Sequence, residues 1–139
     1  MSKIAVIFWS GTGNTEAMAN AVAEGAASKG AEVETVQAAD FSATNVSGYD
    51  ALAFGCPAMG SEELEEGEFQ PMWDDVKPEL GDKRIALFGS YDWGTGEWMD
   101  TWREDAEDAG ANVVDTLIVN NEPDDEGLAS CAELGAALA

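Results

Sequence analysis

Four apolar, β-branched runs punctuate the 139-residue chain, at 3–9 (KIAVIFW), 49–55 (YDALAFG), 84–89 (RIALFG) and 112–119 (NVVDTLIV). Each is close to continuously hydrophobic, the pattern of a strand covered on both faces of a parallel sheet. A weaker run at 31–36 sets Val33 and Val36 among Glu32, Glu34 and Thr35, which suits an edge strand with one wet side. Between the runs the period lengthens to that of helices. Residues 14–28 are Ala-rich, with Met18 and Val22 on one face and Gly30 as a stop signal. Phe69, Met72, Trp73, Val76 and Leu80 recur at i, i+3, i+4, i+7 and i+11, with Pro71 near the start. Trp98, Trp102, Ala106 and Ala109 make a second stripe, and Leu128, Cys131, Ala132, Gly135 and Leu138 a third. Strands alternating with helices predict an α/β fold, a doubly wound three-layer sandwich around a five-stranded parallel sheet. With no linker, repeat or low-complexity tract, residues 1–139 read as one domain. Ligands of such sheets bind beyond the carboxyl ends of the strands, so segments 10–15, 56–63, 90–97 and 120–126 carry the candidate chemistry.

Charge narrows the partners. The chain holds 28 acidic residues against 6 basic ones, a net charge of −22, yet 45% hydrophobic content excludes disorder. No basic footprint exists for nucleic acid or for an anionic membrane. No apolar run approaches a membrane span, and the N-terminus lacks a signal-peptide pattern. Two cysteines and no histidine fit a reducing compartment, argue against a zinc or redox-metal site, and point to a cytoplasmic protein. Cys56 reads as a small buried hydrophobe rather than a redox thiol. Residues 1–60 hold six acids and two bases, whereas residues 61–139 hold 22 and four. Such asymmetry describes either general solvation or an anionic face for a cationic partner.

The first strand runs directly into Ser10-Gly11-Thr12-Gly13-Asn14-Thr15 and then a helix. Small residues let successive backbone N–H groups converge, hydroxyl and amide side chains add donors, and the helix N-terminus adds partial positive charge: a phosphate loop. No Gly-Lys-Ser/Thr follows, so it is not a Walker loop. Glu16 stands where a dinucleotide fingerprint needs its third glycine. No Lys or Arg lies within the loop, so a phosphate is held by neutral donors.

Here the chain resembles the flavodoxins, most closely the short-chain ones of anaerobic Clostridia-type bacteria. The resemblance rests on residues 9–16 (WSGTGNTE), 55–63 (GCPAMGSEE), 88–94 (FGSYDWG) and 121–124 (NEPD), in register over the whole chain. It implies strand order 2-1-3-4-5 and non-covalent FMN. Ser10, Gly11, Thr12, Gly13, Asn14 and Thr15 correspond to the FMN-phosphate loop. Pro57, Ala58, Met59 and Gly60 form one ring-flanking loop, and Tyr91, Asp92, Trp93 and Gly94 another. The resemblance places Met59 on the inner ring face and Trp93 on the outer one. It has the Gly60 carbonyl swing toward the flavin N5 on one-electron reduction, helped by glycine's freedom at positive φ. Glu62 matches the carboxylate that accepts from the flavin N3–H, and Ser90 and Asn121 fall beside the ribityl chain or ring edge. Trp9 supports the phosphate loop, and Trp73, Trp98 and Trp102 belong to the core. Three departures stand out: Pro57 replaces a hydroxyl residue, Asp92 replaces a glycine, and Asn120-Asn121 leaves open which amide faces the cofactor.

The expected function is a low-potential one-electron carrier cycling FMN between semiquinone and hydroquinone, an electron-transfer protein rather than an enzyme. The alternative is a small FMN-dependent NAD(P)H:quinone reductase. That needs a substrate pocket which this chain, with every segment assigned, has little length to build. A receiver domain is excluded because Gly55-Cys56 and Ser10-Gly11 stand where its acids belong. The expected partners are oxidoreductases with basic docking surfaces, of the kind that ferredoxin also serves, and the expected state is a monomer. Eleven acids at the loop end of the sheet are candidates for that docking face: Glu62, Glu63, Glu65, Glu66, Glu68, Asp92, Glu97, Glu122, Asp124, Asp125 and Glu126.

Overall fold

The computed structural model describes residues 3–11, 13–59, 63–92 and 94–139. Five strands, β1 (Lys3–Phe8), β2 (Glu32–Gln37), β3 (Ala51–Gly55), β4 (Arg84–Tyr91) and β5 (Asn112–Asn120), pair in parallel in the order β2-β1-β3-β4-β5. Helices α1 (Asn14–Ala27), α2 (Phe69–Val76), α3 (Glu97–Asp108) and α4 (Asp125–Leu138) complete the three layers. Two 3₁₀ segments, Ala38–Asp40 and Ala43–Gly48, connect β2 to β3, and a third, Lys77–Glu79, ends the α2 stripe one turn earlier than its apolar spacing predicts. Pro78 lies in that segment and cannot donate to a continuing α-helical ladder.

The sheet is buried from both sides by unlike cores. On the α2/α3 side, Ala5, Ile7, Leu52, Phe54, Ile85 and Leu87 meet a cluster of aromatic rings. Trp73 stands edge-on to Phe54 at 5.1 Å and to Trp102 at 5.7 Å between ring centroids, and Phe69 packs on Trp102 at 5.4 Å. The opposite face presents Ala51, Ala53 and Ala86 beside Ile4, Val6 and Phe8. These short side chains let α1 and α4 settle close to the sheet and to each other. A Cβ at Gly25 would strike the Ala132 carbonyl, and one at Gly135 the Val22 carbonyl.

β5 lies at the edge of the sheet, as the order 2-1-3-4-5 implies, and pairs only with β4. The run at 112–119 reads as covered on both faces, yet β5 is half-exposed along most of its length, its apolar residues resting on α3 and α4. Between Val113 and Asp115 the register slips by one residue, and a bulge of this kind, with an outward carboxylate, protects an exposed edge from pairing with other chains.

Candidate functional site

The loops that follow β1, β3, β4 and β5 converge at the carboxyl end of the sheet, because parallel strands deliver all of their exits to one edge. There they enclose a cavity of about 350 Å³ lined by Trp9, Gly11, Asn14, Pro57, Ala58, Met59, Ser90, Tyr91, Asp92 and Asn121. A second cavity of about 270 Å³ adjoins it across Trp9 and Gly11, lined in part by Ser10, Gly13, Glu16 and Glu68. Trp9 is therefore a wall of both. Its indole lies against Gly11, where an added Cβ would come within 3.1 Å of Cη2, and its Nε1 donates to Glu68 Oε1 at 3.2 Å.

The β1–α1 loop has the geometry of an anion cradle. Ser10 Oγ accepts from the Gly13 N–H at 3.0 Å, folding the loop into a tight turn. Gly13 then enters α1 at φ 94°, a conformation that an L side chain resists. Among the described residues no side chain caps the first turn of α1, in contrast to α4, where Asp124 Oδ1 accepts from the Gly127 N–H at 2.8 Å. Helix N-termini carry unpaired N–H groups and partial positive charge, so an uncapped one inside a glycine-rich loop suits an anion. Thr12 lies outside the described residues.

Thr15 sits deeper than the phosphate-loop reading implies. It is 1% exposed and Ser90 4%, and their hydroxyl oxygens are 3.1 Å apart. One hydrogen joins the pair and the other remains to donate elsewhere, so the two hydroxyls act as one unit linking the start of α1 to the end of β4.

On the β3 side, the ladder to β4 continues past the strand. The Cys56 N–H donates to Phe88 O at 3.1 Å and the Ala58 N–H to Ser90 O at 3.0 Å. Gly89 permits this approach, since a Cβ there would strike the Cys56 carbonyl. Pro57, Ala58 and Met59 are thereby held, half-buried, along the cavity. Cys56 is fully buried, and burial pushes its thiol up to about 12, in keeping with an unreactive group. Gly60 and Glu62, like Trp93 in the β4 loop, lie outside the described residues. Tyr91 packs on Trp98 at 5.6 Å, which fixes the start of the β4 loop. Asp92 is exposed at the cavity mouth, whereas Gly94, at φ 89°, turns the chain beyond the lining.

Of the two asparagines, Asn121 lines the cavity. It holds φ 60°, a left-handed conformation that Asn tolerates, while its N–H donates to Tyr91 O at 2.6 Å. Asn120 Nδ2 points to the same carbonyl at 3.4 Å.

The acids of 63–68 are not equivalent. Glu65 accepts from the N–H groups of Gly67, Glu68 and Phe69 at 2.7, 2.7 and 2.8 Å. Burial pushes its carboxyl up, but these three bonds outweigh it and hold the group below the usual carboxylate range. The sequence counts Glu65, Glu68 and Asp124 among eleven candidates for a docking face, and the structure additionally commits all three to hydrogen bonds. The signal for Asp124 was present as an N-cap before the α4 pattern. The bond from Trp9 to Glu68 spans 59 positions and has no local signature.

The family model for flavodoxin matches residues 6–135. The chain is 48% identical over 136 residues to the flavodoxin of Megasphaera elsdenii, covering 98% of each chain. To that of Clostridium beijerinckii it is 44% identical over 135 residues, covering 96% of this chain and 97% of the other. The solution structure of two-electron reduced Megasphaera elsdenii flavodoxin superposes with a TM-score of 0.90, covering 97% of each chain at 48% identity.

Proposed function

Since this chain belongs to the flavodoxin family, and so is an FMN-binding electron carrier rather than an enzyme, we propose that the cavity at the ends of β1, β3, β4 and β5 is its FMN site. The observation that carries this assignment is the glycine-entered start of α1, without a side-chain cap among the described residues, beside the cavity that Asn14, Met59, Ser90, Tyr91 and Asn121 line. The residues fit the group. Ser10, Gly11 and Asn14 supply neutral donors for a terminal phosphate, Gly13 makes the turn, Thr15 anchors the loop to Ser90, and Thr12 completes it by its place in the sequence. Pro57, Ala58, Met59 and Tyr91 supply the flat, half-buried lining that an aromatic ring system needs. Ser90 and Asn121 add polar groups between the two ends, and Gly60, Glu62, Trp93 and Gly94 enter the proposal from the sequence alone.

FMN, when bound, supplies one-electron chemistry at its ring. The protein's part is to exclude water from one side of that ring and to orient it by the phosphate at the other end. The resting place of the phosphate holds no cation among the described lining residues, so affinity there comes from oriented N–H and O–H dipoles.

The redox partners proposed here carry basic docking surfaces. Glu63, Glu66, Glu68, Asp92, Glu97, Glu122, Asp124, Asp125 and Glu126 are exposed at the site end of the sheet, and a basic partner would be steered there. Net charge of −22 favours a monomer through self-repulsion. No helix among the described residues is long and apolar enough to cross a membrane, and the cysteine usage supports a cytoplasmic location.

The test is reconstitution of the apoprotein with FMN, riboflavin and FAD. One FMN per chain is expected, bound more tightly than riboflavin, with FAD excluded. Turnover of NAD(P)H with a quinone in the absence of a reductase would overturn the carrier assignment.

A further inference from the structure

Glu65 differs from its acidic neighbours in that all of its polar groups are engaged. Its carboxylate gathers the N–H groups of Gly67, Glu68 and Phe69, which lead into α2, and its carbonyl accepts from the Gln70 N–H at 2.8 Å. Its own N–H donates to Cys56 Sγ at 3.4 Å, and that thiol donates in turn to Pro57 O at 3.5 Å. The helix at one end of this chain of contacts is rigid, because Phe69, Met72 and Trp73 are buried in the aromatic core. The strand end at the other is rigid too, since Cys56 and Ala58 continue the ladder to β4.

We infer that Glu65 is a positioning residue: by bridging α2 to Cys56 it fixes Pro57, Ala58 and Met59 against the ring end of the cofactor site. The inference rests on the FMN assignment above. A strand end tethered by buried or multiply bonded groups loses conformational freedom before a ligand arrives, and preorganisation of this kind raises affinity without adding a contact. Glu66 is an internal control, for it carries the same charge one residue further on, is exposed, and takes part in none of these bonds.

The test uses apoproteins of Glu65→Gln, Cys56→Ala, Cys56→Ser and Glu66→Gln, each titrated with riboflavin and with FMN by quenching of flavin fluorescence. In Glu65→Gln an amide nitrogen must face a backbone N–H, and in Cys56→Ala the Glu65 amide loses its acceptor. Both should weaken riboflavin and FMN by the same factor, about fivefold, equivalent to about 1 kcal/mol. An equal factor places the effect at the ring end, because riboflavin has no phosphate. Cys56→Ser keeps a donor and an acceptor and should restore binding, and Glu66→Gln should leave it unchanged. Riboflavin affinity equal to the parent's in Glu65→Gln or Cys56→Ala would overturn the inference. If Glu65→Gln lost its fold by circular dichroism, Cys56→Ala, which retains the carboxylate cap, would decide alone. A parent apoprotein that bound neither flavin would instead overturn the FMN assignment.

Discussion

The buried hydroxyl pair Thr15–Ser90 is open to a double-mutant cycle. Both residues are nearly inaccessible, 1% and 4% exposed, so neither hydroxyl can exchange its partner for bulk water. Thr15→Val keeps shape and removes one hydroxyl, which strands Ser90 Oγ; Ser90→Ala strands Thr15 Oγ1 in the same way. Each single change should destabilise the apoprotein by about 1–3 kcal/mol, the cost of leaving a buried polar group short of a partner. The double variant has no stranded hydroxyl, so its loss should fall below the sum of the singles by about 1–2 kcal/mol, within the range for residues in direct contact. Urea denaturation measures the three losses, provided the slope m stays constant across the set. Losses that added to within about 0.5 kcal/mol would show that the two hydroxyls are satisfied independently, and the link between α1 and β4 would be wrong.

Three further expectations follow from the same geometry. Asp105 accepts from Trp73 Nε1 at 2.8 Å and pairs with Lys77 Nζ at 3.0 Å; burial raises its carboxyl, but these bonds outweigh that and hold it below the ordinary value. Its folded-state value being depressed, the contribution is present above the unfolded value of about 3.9 and is lost as pH falls through the folded one. Asp105→Asn should therefore lower stability at pH 7, and its deficit against the parent should shrink in thermal melts as pH falls through the depressed folded value; a deficit that stayed constant over that fall would sink that account. Gly135→Ala should destabilise by about 1–3 kcal/mol, because the added methyl meets the Val22 carbonyl. Gly48→Ala, with open space around its Cβ, should cost nothing or stabilise slightly in the same denaturation assay. Finally, raising ionic strength from about 0.01 to about 0.15 M shortens the Debye length from about 30 to about 8 Å. Stopped-flow association of dianionic FMN with a protein of charge −22 should accelerate severalfold, while neutral riboflavin should be unaffected. Equal salt responses would mean that the phosphate end is electrostatically isolated from the acids.

The sequence by itself determined the layers and the site end of the sheet. Periodicity is a local property: β1 and α1 are legible because Ile4, Val6, Met18 and Val22 must each be buried by whatever lies opposite. The phosphate loop is legible for a similar reason, since the residues that make its turn and its donors are contiguous. Tertiary structure alone decided which acids solvate and which hold loops in place. Glu65 and Glu66 are adjacent and alike in charge, yet only the packing of α2 against the core turns one of them onto three backbone N–H groups. Trp9 with Glu68, and Thr15 with Ser90, meet across 59 and 75 positions, and no sequence period extends over such separations. The half-exposure of β5, whose run is as apolar as that of an interior strand, was also decided by tertiary structure, because a run of apolar residues records that side chains are apolar but not how completely the neighbouring helices cover them.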